Sequence, residues 1–367
     1  MSETLAPSLE SGRTRLPGIA PEAYRHPLDQ QATAALRALP GFEMAVARLS
    51  QHSVEKLIYH EELASAVRVT PRQCSRIYKL LREACGVLDV AEPALFLSQT
   101  PIANAFAVGR DNPTMLIQTG LVELMTEEEL LGVIAHELGH IHCGHTIYLL
   151  AAAILETLAK LGGDRLGVGD LFSLSFRAAL LEWTRKAEFT ADRAAVLVTQ
   201  NPEVVFSTLF KLTGGSPKVF EQMDRDEYLR QADDYERPDR SRLDKFYQVM
   251  IETGRTHPIP VLRAREALRY GASDEFKAIL GGEYARRGQT EVDRASIKTL
   301  ANATITCPVC GTRTDTAFTF CTGCGADLKV SAPDFLGAAS KPEVAASAAT
   351  AGAAPVATPE VDGVTDA

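Results

Sequence analysis

Long apolar runs are absent from this 367-residue chain. The longest uncharged apolar stretch covers residues 147–155, whereas a helix that crosses a bilayer needs about 20 such residues. Residues 1–25 also lack the apolar core of an export signal. We therefore predict no membrane span and a cytoplasmic location, and we leave open a peripheral contact of residues 147–183 with a membrane surface.

An excess of positive charge and a disulfide framework are absent too. The net charge is -9, which disfavours nucleic acid as the main partner. Cys74, Cys85 and Cys143 are isolated in the sequence and are predicted to be reduced thiols, because disulfide-rich secreted domains space their cysteines differently. With 46% hydrophobic residues, the chain can bury a full-sized core and is expected to hold one large domain with additions.

What the chain does contain is the motif His136-Glu137-Leu138-Gly139-His140. Residues four apart share a helix face, so His136 and His140 can bind one metal ion. Glu137 then points at the water beside that ion and can act as a general base. Motif and spacing together predict a zinc hydrolase.

The surrounding sequence predicts that this motif lies on a helix. Thr126 and Glu129 have the spacing of a capping box, which places the start of the helix near Glu127. Apolar residues then recur every three or four positions, as on a buried helix face; they are Leu130, Leu131, Ile134, Leu138 and Ile141. The alternative, two core or surface histidines that happen to lie four apart, is disfavoured by this context.

A catalytic zinc site needs a third protein ligand. Glu188 and Asp192 lie four apart on a second predicted helix. Glu188 is the candidate ligand, and Asp192 can accept a hydrogen bond from a ligand histidine and fix its tautomer. Arg185, one turn earlier, can orient the same cluster. Taken alone, such a pair is more often a solvated helix face, so the prediction depends on the missing ligand.

From about residue 24 to residue 270, the chain resembles metallopeptidase family 48, the HtpX-like and CAAX-prenyl-protease-like zinc peptidases. Four stretches carry the resemblance: Asn104 to Ala107, Gly120-Leu121 with the helix of the His136 motif, Arg185 to Asp192, and Thr256-His257-Pro258 followed by Arg263. Typical members of this family span membranes, whereas no membrane-spanning segment is predicted in this sequence.

The resemblance implies a role for each matching residue. His136, His140 and Glu188 would bind zinc, and Glu137 would be the general base. Support of the site would come from Asp192 and Arg185. His257 would lie near the substrate, where we expect it either to stabilise the developing charge or to occupy the open coordination position of the metal in a resting state; an ordinary surface-loop histidine is the alternative.

Four further cysteines form a second candidate site: Cys307, Cys310, Cys321 and Cys324. Four thiolates make a closed, structural zinc site that folds a small ribbon. A redox pair is the alternative for either C-x-x-C alone, but two such pairs within one short segment disfavour it. Charges in this segment balance, so a protein partner is predicted for it rather than nucleic acid.

The sequence thus predicts an α+β, mainly helical fold: a gluzincin-type zinc metallopeptidase domain with a small sheet, followed by the zinc ribbon. The predicted organisation is a flexible segment (1–23), the peptidase domain (24–290), a separable ribbon (301–330) and a disordered tail (331–367). Short strands are predicted near residues 94–97, 104–108 and 115–119, the last two as a hairpin.

The predicted function is zinc-dependent endopeptidase activity on protein substrates, with protein quality control as its biological setting. The strand that begins at Asn104 and continues through Ala105, Phe106 and Ala107 is a candidate edge for an extended substrate, with an ordinary hairpin strand as the equal alternative. Two other classes compete with this function. The first is a noncatalytic adaptor or chaperone-like protein that keeps a zinc fold for its shape, and the intact Glu137 argues against it. The second is a regulatory adaptor that works through its ribbon and tail and is only slowly or conditionally proteolytic.

Overall fold

Helices make up most of the folded part of the chain. The computed structural model describes residues 12–38, 52–150, 152, 174–236, 259–288, 304–315, 319–321 and 323–328. The helices in these ranges are α1 (Pro27–Arg37), α2 (His52–Ser65), α3 (Ser75–Leu88), α4 (Thr119–Leu124), α5 (Glu127–His142), α6 (Leu174–Thr199), α7 (Pro202–Gly214), α8 (Pro217–Phe220), α9 (Arg225–Glu236), α10 (Pro260–Ala272) and α11 (Asp274–Leu280). Each is too short or too polar to span a bilayer.

Helix α5 begins where its capping residues predict. The Thr126 hydroxyl accepts a hydrogen bond from the Glu129 N–H at 3.3 Å, and the Glu129 carboxylate accepts one from the Thr126 N–H at 2.8 Å. This reciprocal pair satisfies amides that the first turn leaves without partners. The predicted start at Glu127 is therefore confirmed, and the helix runs to His142 through the centre of the core.

A small mixed sheet lies beside the helices. Its strands are β1 (Val67–Arg68), β2 (Ala94–Ser98), β3 (Ala105–Val108) and β4 (Thr114–Gln118), in the order β1-β2-β4-β3. Strands β2 and β4 are parallel, whereas β3 and β4 form the predicted antiparallel hairpin. Within the described residues β3 has a strand partner on one side only, so its other side is an edge.

The N-terminal segment predicted to be flexible, residues 1–23, is described by the structure from residue 12 onwards. In that part Leu16 and Ile19 are completely buried in the main core. Backbone hydrogen bonds join this segment to the end of the peptidase part, from Ala20 N–H to the Ala285 carbonyl at 2.9 Å and from Arg287 N–H to the Gly18 carbonyl at 2.8 Å. The local sequence is charged and contains proline, so it does not indicate burial. The burial depends on contacts with residues 285–287, far along the chain.

The four-cysteine segment also differs from the separable ribbon that the sequence suggested. It contains a two-stranded sheet, β5 (Thr304–Thr306) and β6 (Arg313–Asp315), and belongs to the same compact unit as the peptidase part. Phe320 is buried in the main core, edge-on to Tyr78 with ring centroids 5.9 Å apart. The Thr319 N–H donates to the buried Glu92 carboxylate at 3.1 Å, so the ribbon completes the peptidase core. The tail, residues 331–367, lies outside the described residues.

This packing predicts a stability effect for Phe320→Ala. Truncating a buried aromatic side chain leaves a cavity and costs about 3 kcal/mol, so the thermal midpoint of the whole peptidase unit should fall. Val309→Ala is the matched control, because Val309 lies in the same ribbon but is 53% exposed. Circular dichroism melting of the helices measures both variants. An unchanged midpoint for Phe320→Ala would show that the ribbon does not support the peptidase core.

Candidate metal centre

Two closely packed helices bring the predicted ligands together. Helix α5 carries His136 and His140, and α6 carries Glu188 and Asp192. Gly139 permits their close approach, because a Cβ atom there would lie 2.7 Å from the Ala194 Cβ and would force the helices apart. The glycine inside the motif thus sets the distance across which the ligands meet.

The three ligand side chains converge with their coordinating atoms facing one another. The His136 and His140 Nε2 atoms are 3.2 Å apart, and each lies 3.5 Å from a Glu188 carboxylate oxygen. An ion held tetrahedrally at about 2.0–2.1 Å has ligand atoms about 3.4 Å apart. Among the described residues this trio and the four cysteines are the groups that could hold a metal ion. The donor set and its spacing fit zinc.

The surroundings of His136 favour positive charge in this position. Its Nδ1 lies 3.0 Å from the Asp192 Oδ1, a contact that would hold Nδ1–H on the carboxylate and leave Nε2 for a metal. Burial alone would lower the pKa of His136, but the carboxylates of Asp192 and Glu188 outweigh it and raise the pKa to about 10. Groups that stabilise a proton there also stabilise a metal cation.

The cation that contacts both carboxylates is Arg263 on α10. Its Nε and Nη2 donate to the two Asp192 oxygens at 2.7 Å each, and its Nη1 lies 2.8 Å from the Glu188 Oε2. Burial would lower the pKa of Arg263, but these two carboxylates raise it, and the guanidinium stays charged. The sequence assigned such a role to Arg185, whose guanidinium pairs with the Glu182 carboxylate on its own helix, and that assignment stays a prediction.

A cavity of about 240 Å³ opens onto this centre. Glu137, which is buried, lines it together with His136 and Glu188. The start of the edge strand also lines it, through Asn104 and Ala105. Apolar side chains from three helices form much of the remaining wall: Leu121, Val133, Val205, Leu209 and Leu212. The predicted base, two of the three predicted metal ligands and the start of the predicted substrate strand therefore share one cavity, whereas His257 lies outside the described residues.

The four cysteines come together as a second centre. The Sγ atoms of Cys307 and Cys324 are 3.8 Å apart, and those of Cys310 and Cys321 are 3.5 Å apart. A tetrahedral zinc ion with Zn–S bonds of about 2.3 Å places its sulfurs about 3.8 Å apart. The predicted four-cysteine cluster is confirmed, and its geometry fits a closed structural zinc site.

The helix-borne histidine pair and the carboxylate from the following helix define the metal centre of a zinc metallopeptidase. The chain belongs to peptidase family M48, whose family model matches residues 71–271. It is 38% identical over 260 residues to the plastoglobule-localized metallopeptidase 48 of Arabidopsis thaliana, a match that covers 70% of this chain and 74% of the relative. The predicted family is thereby confirmed.

Bacterial relatives match a shorter part. An HtpX protease homologue of Moorella thermoacetica is 29% identical over 179 residues, which cover 42% of this chain and 60% of the relative. One from a Sulfurovum species is 32% identical over 173 residues and is covered to 61% of its length. This chain therefore spans less than two thirds of the HtpX homologues that it matches. No solved structure matches it.

Proposed function

We propose that this protein is a zinc-dependent endopeptidase that cleaves extended segments of unfolded proteins, a role that suits protein quality control. The observation that carries the proposal is the common cavity of the base Glu137, the ligand His136 and the edge strand. A bound zinc ion would acidify the attacking water and polarise the scissile carbonyl. His136, His140 and Glu188 would hold it.

Glu137 moves the protons of the reaction. Its carboxylate lies in the wall of the cavity and next to a metal ligand in the sequence, so it can accept a proton from the attacking water. The same oxygen then delivers that proton to the departing amine. Asp192 and Arg263 keep the His136 ring and the Glu188 carboxylate in place through the contacts described above, so that the ligand geometry is preorganised before a substrate arrives.

The free edge of β3 is proposed to bind the substrate backbone. The Asn104 carbonyl accepts from the Gln118 N–H at 3.0 Å, so in an antiparallel pair the next residue, Ala105, directs its N–H and carbonyl away from β4. An extended peptide can pair with these groups. Because such pairing reads the backbone, N-methylation of a single peptide amide should weaken binding, and indifference to every such methyl group would refute the proposal.

His257 is proposed to assist turnover. It precedes Pro258, which favours an extended backbone, and the family resemblance suggests that it approaches the developing oxyanion. His257→Ala should then lower turnover more than substrate affinity. Unchanged turnover and affinity would assign His257 to an ordinary loop position.

The proposed activity is tested by metal removal. Limited treatment of the full-length protein with 1,10-phenanthroline should stop casein cleavage and release about one zinc per chain, because the open site exchanges its metal more easily than the closed cysteine site. Added zinc should restore cleavage. Elemental analysis before and after treatment measures how much zinc is released and how much stays bound at the cysteine site. Casein cleavage that continues after complete loss of zinc would rule out the proposal.

A further inference from the structure

The second ligand histidine, His140, has a partner that the motif does not contain. Its Nε2 faces the other metal ligands, while its Nδ1 lies 3.1 Å from the Nδ1 of His145. A metal bound at Nε2 requires the neutral ring to carry its proton on Nδ1. That Nδ1–H can therefore donate to His145, provided that His145 presents an unprotonated Nδ1.

The other side of His145 meets a carboxylate that favours this tautomer. Its Nε2 lies 3.1 Å from the Asp29 Oδ2, so Nε2–H donates to the carboxylate and Nδ1 is free to accept. His145 is 1% exposed and Asp29 is 0% exposed. Because water does not compete for these groups, the direction of both hydrogen bonds is fixed by the Asp29 carboxylate, which ends this series of hydrogen bonds.

Asp29 is itself held by several donors. The Thr33 hydroxyl donates to its Oδ1 at 3.0 Å and the Thr190 hydroxyl to its Oδ2 at 2.8 Å. Arg25 adds a cation, with its Nε 3.4 Å from the Oδ2. Trp183 in turn donates its Nε1–H to the Thr33 hydroxyl at 2.8 Å. Helices α1 and α6 therefore fix the carboxylate from two directions.

The end of helix α5 brings His145 back beside His140. Gly144 has φ +69°, the left-handed conformation that commonly ends a helix. The His145 N–H donates to the His140 carbonyl at 2.9 Å and the Gly144 N–H to the Ile141 carbonyl at 3.1 Å. This pair of bonds is a Schellman motif, in which the first and last of these residues meet. Here an imidazole pair replaces the usual apolar contact.

We infer that His145 is a positioning residue for the metal site and that Asp29 is its anchor. The chain from Asp29 through His145 to His140 fixes the tautomer and the ring orientation of one ligand, as Asp192 does directly for His136. The inference rests on the proposed metal site. Each of the two histidine ligands then has a buried carboxylate. Asp192 contacts His136 directly, whereas Asp29 reaches His140 through the imidazole of His145.

Packing alone is the competing explanation of His145. Its ring also lies edge-on to Trp183, with centroids 5.5 Å apart, so any replacement can lower stability. A purely structural role changes the melting temperature without changing the affinity for zinc. A positioning role changes zinc affinity even when stability is matched, so zinc affinity is the measurement that separates the two explanations.

The test compares three variants of the full-length protein. His145→Leu removes both hydrogen bonds, whereas His145→Gln keeps an acceptor and a donor on one planar amide. His142→Leu is the matched control, because His142 is equally buried on α5 but bonds to the Tyr24 hydroxyl at 2.7 Å. Competition with a chromophoric zinc chelator, without substrate, measures affinity, and the cysteine-bound zinc serves as an internal reference.

We expect His145→Leu to weaken the exchangeable zinc site about 10- to 100-fold, as is usual when a partner of a ligand is lost. His145→Gln should recover most of the affinity, and His142→Leu should leave it unchanged. Equal affinity of His145→Leu and the unaltered protein would overturn the inference. If His145→Leu does not fold, Asp29→Asn replaces it, and unchanged affinity there has the same consequence. An unaltered protein that holds only the non-exchangeable, cysteine-bound zinc would instead refute the proposed metal site itself.

Discussion

Glu137→Gln is expected to remove proteolysis while leaving the fold and the zinc content intact. The substitution keeps the size and the buried position of the side chain, and it leaves His136, His140 and Glu188 untouched. It removes the group that is proposed to accept and return the proton, and loss of a general base costs at least about a hundredfold in rate. Casein cleavage and elemental analysis of the same preparation measure the two properties.

Glu127→Gln is the control for this result. Glu127 lies on the same helix with its side chain 67% exposed, and it faces Arg76 at 3.9 Å, so its loss should leave the rate unchanged. Retention of near-normal cleavage by Glu137→Gln would defeat its assignment as the base. Loss of zinc from that variant would mean that Glu137 supports the metal site rather than the proton transfer.

Arg263→Met should produce the largest loss of stability, and the loss should be greater without zinc. Arg263 is the buried cation between Asp192 and Glu188. Removing one member of a buried ion pair leaves an uncompensated charge and costs about 3–5 kcal/mol. A bound zinc ion would supply positive charge to the same carboxylates, so the metal-loaded variant should lose less. Thermal melting with and without zinc measures the difference.

Arg265→Met is the control for this prediction. Arg265 lies two residues later on the same helix. It pairs at 3.0 Å with Asp233, whose side chain is 74% exposed. Exposed pairs contribute about 0–1 kcal/mol, so this variant should melt close to the unaltered protein. The cysteine site loses its zinc equally in all three proteins and cancels in the comparison. Equal destabilisation of Arg263→Met with and without zinc would show that the two cations do not share the carboxylates.

Local sequence signals predicted the parts of the site that are built locally. Helix α5 has its own cap at Thr126 and its own apolar period, so its start and its two histidines could be placed without tertiary information. Glu188 was predicted because a catalytic zinc site needs a third protein ligand besides the two histidines. The four cysteines followed from the spacing of their two pairs.

Contacts between distant segments could not be predicted in this way. Arg185 was predicted to orient the site because it lies one turn before Glu188, and its side chain pairs with Glu182. The cation that contacts Asp192 comes from Arg263, 71 positions beyond it. Nothing near Arg263 in the sequence distinguishes it from its charged neighbours, although it belongs to the stretch that carries the family resemblance. His145 and Asp29 are 116 positions apart, and they meet through the end of α5 and the packing of α1 beside α6, where Asp29 bonds to Thr190.

The long-range closure of the fold has a consequence for biosynthesis. Tyr284 bonds to the Pro17 carbonyl across 267 positions, and Thr319 bonds to Glu92 across 227. A ribosome releases the N-terminal segment first, but its partner Tyr284 follows 267 positions later, and contacts of this kind form slowly. The growing polypeptide therefore exposes its histidine helix long before Glu188, Arg263 and the ribbon arrive. A nascent chain that stops before Glu188 lacks the proposed third zinc ligand, so the proposed metal centre can form only after both helices that carry its ligands have been synthesised.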